Sequence, residues 1–221
     1  MTTEGLEGPL ATAELVGALT YGQLRAFQIT AAAVRCAPTI PLADRLAGFA
    51  IREHERYRKL RDHLQRQTDL ADRVVERQRL RFDEYFDAVR MDDWVEAVTF
   101  FAVGLPMAAD FARAVARLVD DDTAAVIMSA LADRADFEDF ANAQLVEALG
   151  GGDEAVARLR HLVADVVGRA LTGFQAAVTD SDALRVLLSG DQDGAAVKQL
   201  AIEVLHTHRE RMIGLGLDDI E

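Results

Sequence analysis

Apolar residues recur at steps of three and four along most of this chain, the signature of helices with one buried face. Leu42, Leu46, Phe49, Leu60 and Leu64 trace one such stripe, and Val156, Leu159, Val163, Val166, Ala170, Phe174 and Ala177 trace another. Strand-like alternation of Val, Ile, Thr and aromatic residues is scarce, so the pattern predicts an all-α protein.

Helix boundaries follow from the punctuation between stripes. The spacing predicts a first helix from about Thr12 to Cys36, ended by "APTIP", because Pro38 and Pro41 disfavour its continuation. A second starts near Pro41 and carries an arginine-rich run. After a break near "RQTDL", a further charged helix runs to about Arg90. In "MDDWVEA", Asp93 is placed as an N-cap with Glu96 three residues on. That helix should reach about Val119, bent near Gly104 and Pro106. "DDDT" puts acids at the start of the next helix, which is expected to run unbroken to "GGGD" at 150–153. A long helix from Glu154 to about Val178, a short one around "LRVLL", and a last one from Ala195 to Ile213 complete the set. The reading is residues 1–11 as a flexible N-terminus, 12–213 as one helical domain with one core, and 214–221 as a polar tail.

Polar residues interrupt these stripes near mid-helix. Glu53 and Arg56 fall inside the Leu42–Leu64 stripe, and Gln23 aligns with Val16, Leu19, Ala26 and Phe27. Asp110 lies in the apolar run "PMAADFA". Asp133 sits with Val126, Ala130, Phe137 and Phe140, and Asp136 follows three residues on. His54, although it stands in a Glu-His-Glu triplet, is about 100° around the helix from Glu53 and points elsewhere. Glu53 and Arg56, spaced i,i+3, are the pair that can converge. Carboxylate-bridged di-iron bundles use Glu-x-x-His at that spacing, with single carboxylates from other helices. Here Arg56 takes the histidine place, and a guanidinium has no lone pair for a metal.

Charge narrows the partners. The formal net charge of −13 disfavours broad binding to nucleic acid or anionic membranes. No apolar run is expected to reach the ~18–20 residues that span a bilayer, and Cys36 is the only cysteine, so a cytoplasmic protein is expected. His206 and His208 diverge around a helix and are read as a solvated helix end. His63 and His161, set among arginines, are read as surface residues. Trp94 is placed as a core anchor and Cys36 as a packing residue.

"ALTYGQLRAFQITAAAVRCAP", "DWVEAVTFFAVGLPMAADFARAVARLVD" and "SALADRADFEDFA" resemble segments of the ferritin-like proteins of high-GC Gram-positive bacteria, which are related to the di-iron tRNA isopentenyl-adenosine hydroxylases. The resemblance spans residues 12 to 188 and implies a ferritin-like antiparallel four-helix bundle with additional C-terminal helices. In that family the first segment reads Tyr-Gly-Glu, whereas Gln23 stands here. The second carries Glu-x-x-His, which here is Glu53 with Arg56. Asp110 matches the acid of the third. The fourth carries Asp-x-x-His, which here becomes Asp133 and Asp136. Both ligand histidines are therefore replaced, which implies a degraded metal site.

Three functions follow. The favoured one is a pseudo-enzyme or binding module with a metal-free core network of Gln23, Glu53, Arg56, Asp110, Asp133 and Asp136. It would have no cofactor, an unknown protein or small-molecule partner, and a homodimer as its assembly. The second is an iron or manganese oxygenase using Glu53, Asp110, Asp133 and Asp136 as metal carboxylates, with tRNA as the substrate class the resemblance implies. The third is a small-anion bundle that clamps its ligand with Arg56. None names a catalytic residue.

Overall fold

A computed structural model of the chain describes residues 8–89, 91–179, 181–188 and 195–214. The described elements are helical, and no strand occurs among them. The first helix, α1, runs Gly8–Ala33 and passes through a single 3-10 turn at Val34–Cys36. It therefore begins four residues before the expected Thr12, because Ala11, Thr12 and Ala13 are already buried. α2 spans Ile40–Gln67; Thr39 caps it by accepting the Leu42 N–H, and Pro41 fits the first turn, where no donor is needed. α3 covers Ala71–Asp87.

Side-chain pairs fix the directions. Gln23 meets Glu53, while the earlier Val16 packs with the later Leu64, so α1 and α2 are antiparallel. Glu14 meets Arg77, Tyr21 meets Asp83 and Arg25 meets Asp87, so α1 and α3 run parallel.

The central helix is assembled from α4 (Trp94–Thr99), a π-helical segment (Phe100–Gly104) and α5 (Leu105–Ala116). Asp93 caps its start by accepting the Glu96 N–H at 3.0 Å, and the Glu96 carboxylate accepts the Asp92 N–H at 2.7 Å. The expected bend near Gly104 and Pro106 is the π segment. Pro106 has no N–H to give and its ring crowds the carbonyl four residues back, so a widened turn precedes it. Gly104 permits a close approach there, since a Cβ would come within 2.7 Å of the Phe100 ring and 3.2 Å of Val166. Contrary to the sequence expectation, Trp94–Ala116 is apolar and long enough to cross a membrane by composition; 72% of its apolar window is buried inside the bundle.

The next stretch departs furthest from expectation. Instead of one helix from 120 to 149, α6 (Asp121–Ala130) ends and α7 (Ala135–Leu149) begins anew. Between them Asp133 adopts the left-handed conformation, φ 57°. α8 (Asp153–Thr179), α9 (Asp182–Leu187) and α10 (Ala195–Gly214) add the C-terminal helices. Of the expected tail at 214–221 only residue 214, which ends α10, is described, and most of the expected flexible N-terminus also lies outside the described residues.

The main core joins α1, α2, α4, the π segment, α5, α7, α8 and α10. Phe49 stacks on Phe137 at 4.4 Å between ring centroids, and Phe101 packs on the same Phe137 at 5.2 Å. Trp94 meets Phe140 edge-on at 6.2 Å, and its indole N–H donates to Gln144 at 3.3 Å, so the anchor is half-buried and keeps a polar partner.

Candidate functional site

Glu53 and Arg56 project from one face of α2, and both are buried, at 0% and 6% exposure. Arg56 Nη1 donates to Glu53 Oε1 at 2.5 Å. Its Nη2 donates to the main-chain carbonyls of Ala132 (3.2 Å) and Asp133 (3.0 Å) in the α6–α7 break. Gln23 Nε2, from α1, donates to Glu53 Oε2 and reaches the Glu53 carbonyl at 3.4 Å. Both carboxylate oxygens therefore already accept.

A fourth residue completes the cluster. Arg134 is 6% exposed, with Nη1 3.5 Å from Glu53 Oε2 and Nε 3.8 Å from Glu138 Oε1. Those are ion-pair separations, and the buried Nε has no hydrogen-bond partner among the described residues. Two guanidinium groups thus flank one buried carboxylate, a formal charge of +1 before the half-buried Glu138 is counted. Burial pushes the Arg56 pKa down, an effect Glu53 opposes and Arg134 and Arg52 add to.

The other expected residues lie apart. Asp110 forms its own cluster on α5, accepting from Arg113 and from Arg211 of α10, each at 2.6 Å. Asp133 is exposed and joins the Glu53 cluster only through its carbonyl. Asp136 is also exposed, paired with Arg45 at 3.1 Å and Arg52 at 2.9 Å. The physical reason is the helix break. The left-handed turn at Asp133 resets the register, so that Arg134, between the two acids, points inward. A signal for this was present: Asp136 and Glu138 sit in the first turn of α7, where a helix start favours acids.

The histidines also depart from expectation. His63 is buried, not on the surface, with Nε2 3.0 Å from Thr123 Oγ1. His208 is buried too, whereas His206 is exposed beside Glu210 at 3.6 Å. His54 packs on Phe27 and Tyr57, away from Glu53. Cys36 is half-buried, its thiol 3.6 Å from the Met91 carbonyl.

The donors present do not fit a di-metal centre. Such a centre needs several carboxylates and imidazoles converging from different helices. Among the described residues no three His, Cys, Asp or Glu side chains converge. The buried carboxylate of Glu53 is held by a guanidinium and an amide, that of Asp110 by two other guanidinium groups, and no guanidinium can ligate.

Beside the cluster lies a cavity of about 430 Å³, partly open to solvent and walled mainly by apolar groups such as Leu19, Phe86, Phe100, Met107 and Phe174. Gln23 and Arg134 belong to its wall, so the ion cluster forms one polar end of an otherwise oily space. Tyr85, also on the wall, has its pKa raised by burial and so carries a neutral phenol. Both ends of the π segment, Phe100 and Gly104, face the same space. This volume lies within the range of small-molecule sites, as does the combination of an apolar wall with few polar groups.

A helical bundle with extra C-terminal helices, carrying a buried ion cluster against an apolar cavity, is thus the class that the fold and site define. The chain belongs to the ferritin-like domain family of actinomycetes, whose family model matches residues 9–191. A search of curated proteins returns no match to it.

Proposed function

We propose that this protein is a binding module which has kept the ferritin-like frame and given up the di-metal centre, and that it takes an apolar small molecule into the cavity between α1, α3, α5 and α8. One observation carries the reading: Glu53, at the ligand position of the second helix, has both oxygens engaged by Arg56 and Gln23, beside a cavity of about 430 Å³. A carboxylate locked in this way is a structural group, and burying an ion pair beside an oily wall is tolerated because each charge keeps its partners. The module acts in the cytoplasm and needs neither nucleic acid nor membrane.

Two measurements test it. The neutral fluorescent dye N-phenylnaphthylamine should bind the wild-type protein with enhanced emission. Ala109→Phe, which fills the cavity from α5, should abolish that signal while circular dichroism stays helical. Elemental analysis of protein purified from iron- and manganese-supplemented culture should find no stoichiometric metal. Absence of dye binding would overturn the cavity reading, and about two tightly held metal ions per chain would restore the di-metal reading.

A further inference from the structure

Resting on the binding reading above, we infer that the cavity's ligand is an amphipathic monocarboxylate, with its apolar body in the cavity and its carboxylate against Arg134. The inference starts from an imbalance. A buried guanidinium normally satisfies its five donors, most strongly with a carboxylate in bidentate geometry. Arg56 has three acceptors within hydrogen-bond distance, one carboxylate oxygen and two carbonyls at 2.5–3.2 Å. Arg134 is equally buried and lies on the cavity wall, yet its separations from Glu53 and Glu138 are 3.5 and 3.8 Å and its Nε is unsatisfied among the described residues.

Charge points the same way. Glu53 is already shared between two guanidinium groups, and Glu138 is 30% exposed at its side chain, where solvent weakens its pull. One further anion would bring the buried set of Arg56, Arg134 and Glu53 to neutrality. The remaining charged groups on the cavity wall are otherwise placed. Glu14 accepts from Arg77 and Gln78, and Arg81 is exposed. A neutral ligand would leave the positive charge uncompensated, and a cationic one would add to it. A dianion would overshoot it. The mostly apolar wall selects the rest of the molecule.

Displacement of N-phenylnaphthylamine by dodecanoate, dodecanol and dodecylamine tests the inference. In the wild type, dodecanoate should displace the dye at a concentration about ten- to a hundredfold lower than dodecanol, the size expected of one charge-assisted bond. Dodecylamine should be the weakest. Arg134→Met should bring dodecanoate and dodecanol to parity with dye affinity retained, and Arg134→Lys should keep a preference for the acid. Equal displacement by acid and alcohol in the wild type overturns the inference while leaving the binding reading intact, and this comparison stands even where Arg134→Met does not fold. A preference that survives unchanged in folded Arg134→Met also overturns it. No dye binding at all is the separate failure of the binding reading.

Discussion

The two ends of α6 are both held by α2, but by opposite kinds of group. At the start of α6, His63 Nε2 and Gln67 Nε2 lie 3.0 and 2.9 Å from the Thr123 hydroxyl, which donates to the capping Asp120 at 2.9 Å. Past its end, Arg56 donates to the carbonyls of Ala132 and Asp133. A helix start is electropositive and tolerates a neutral ring better than a cation, whereas the carbonyls beyond a helix end favour a fixed positive charge. The difference teaches that Arg56 has two tasks. It neutralises Glu53, and it closes the break that lets Arg134 turn inward. His63, by contrast, only fastens one helix to another, and it does so in its neutral form.

The largest break in this comparison comes from removing Glu53. Glu53→Leu leaves two buried guanidinium groups facing each other and should cost about 3–5 kcal/mol in urea unfolding, the range for breaking a buried pair. Arg56→Met should cost about 2–4 kcal/mol, because it strands Glu53 Oε1 and frees two carbonyls. The double variant should be less damaging than the two costs added, with a coupling of about 1–3 kcal/mol. Simple additivity would show that Glu53 and Arg56 do not act as a unit.

How far the sequence carried this picture depends on what kind of signal each residue left. The helices were legible from three-and-four spacing. Caps at Thr39, Asp93, Asp120 and Ser181 sit where short polar residues precede apolar runs. Gln23, Glu53 and Arg56 were legible as a converging set because they interrupt clean stripes. Asp133 and Asp136 were misplaced because periodicity assumes a continuous helix, and one left-handed residue defeats it. Arg134 was hidden for the same reason. His63 was hidden differently: its neighbours in sequence are charged, and only the packing of α6 against α2 buries it. The cavity left no local signal, since its wall draws residues from helices far apart in the chain.

A smaller effect separates the two ends by pH. Burial, and then Arg66, push the His63 pKa below its ordinary value, although Asp122 and Asp120 pull it back up. The unfolded chain therefore binds the proton more readily than the folded one, and stability contributed by neutral His63 is full above the unfolded pKa of about 6.5 and is lost as pH falls below it. His63→Gln keeps a hydrogen-bonding group but cannot protonate. Its thermal midpoint relative to wild type should be constant from pH 7 to 8 and rise progressively below about pH 6.5. A difference that stays flat into the acid range would show that His63 reaches solvent readily enough to protonate in the folded state. Arg56, fixed in charge over this range, should give no such slope.

The smallest effect lies at the turn that Arg56 closes. Asp133 occupies left-handed space at φ 57°, which glycine enters freely and aspartate tolerates better than alanine. Asp133→Ala should cost about 1 kcal/mol, and Asp133→Gly should be neutral within about 0.5 kcal/mol, since the side chain is exposed and the carbonyl is the part Arg56 uses. The order of the two matters more than their size. If alanine were tolerated as well as glycine, the turn could adopt ordinary helical geometry without loss, and α6 could run on into α7. Asp133 and Asp136 would then regain the inward positions that periodicity gave them, and Arg134 would swing out of the cavity. If alanine costs more than glycine, the break belongs to the fold itself, and the exchange of two acids for one arginine at the cluster follows from a single backbone angle.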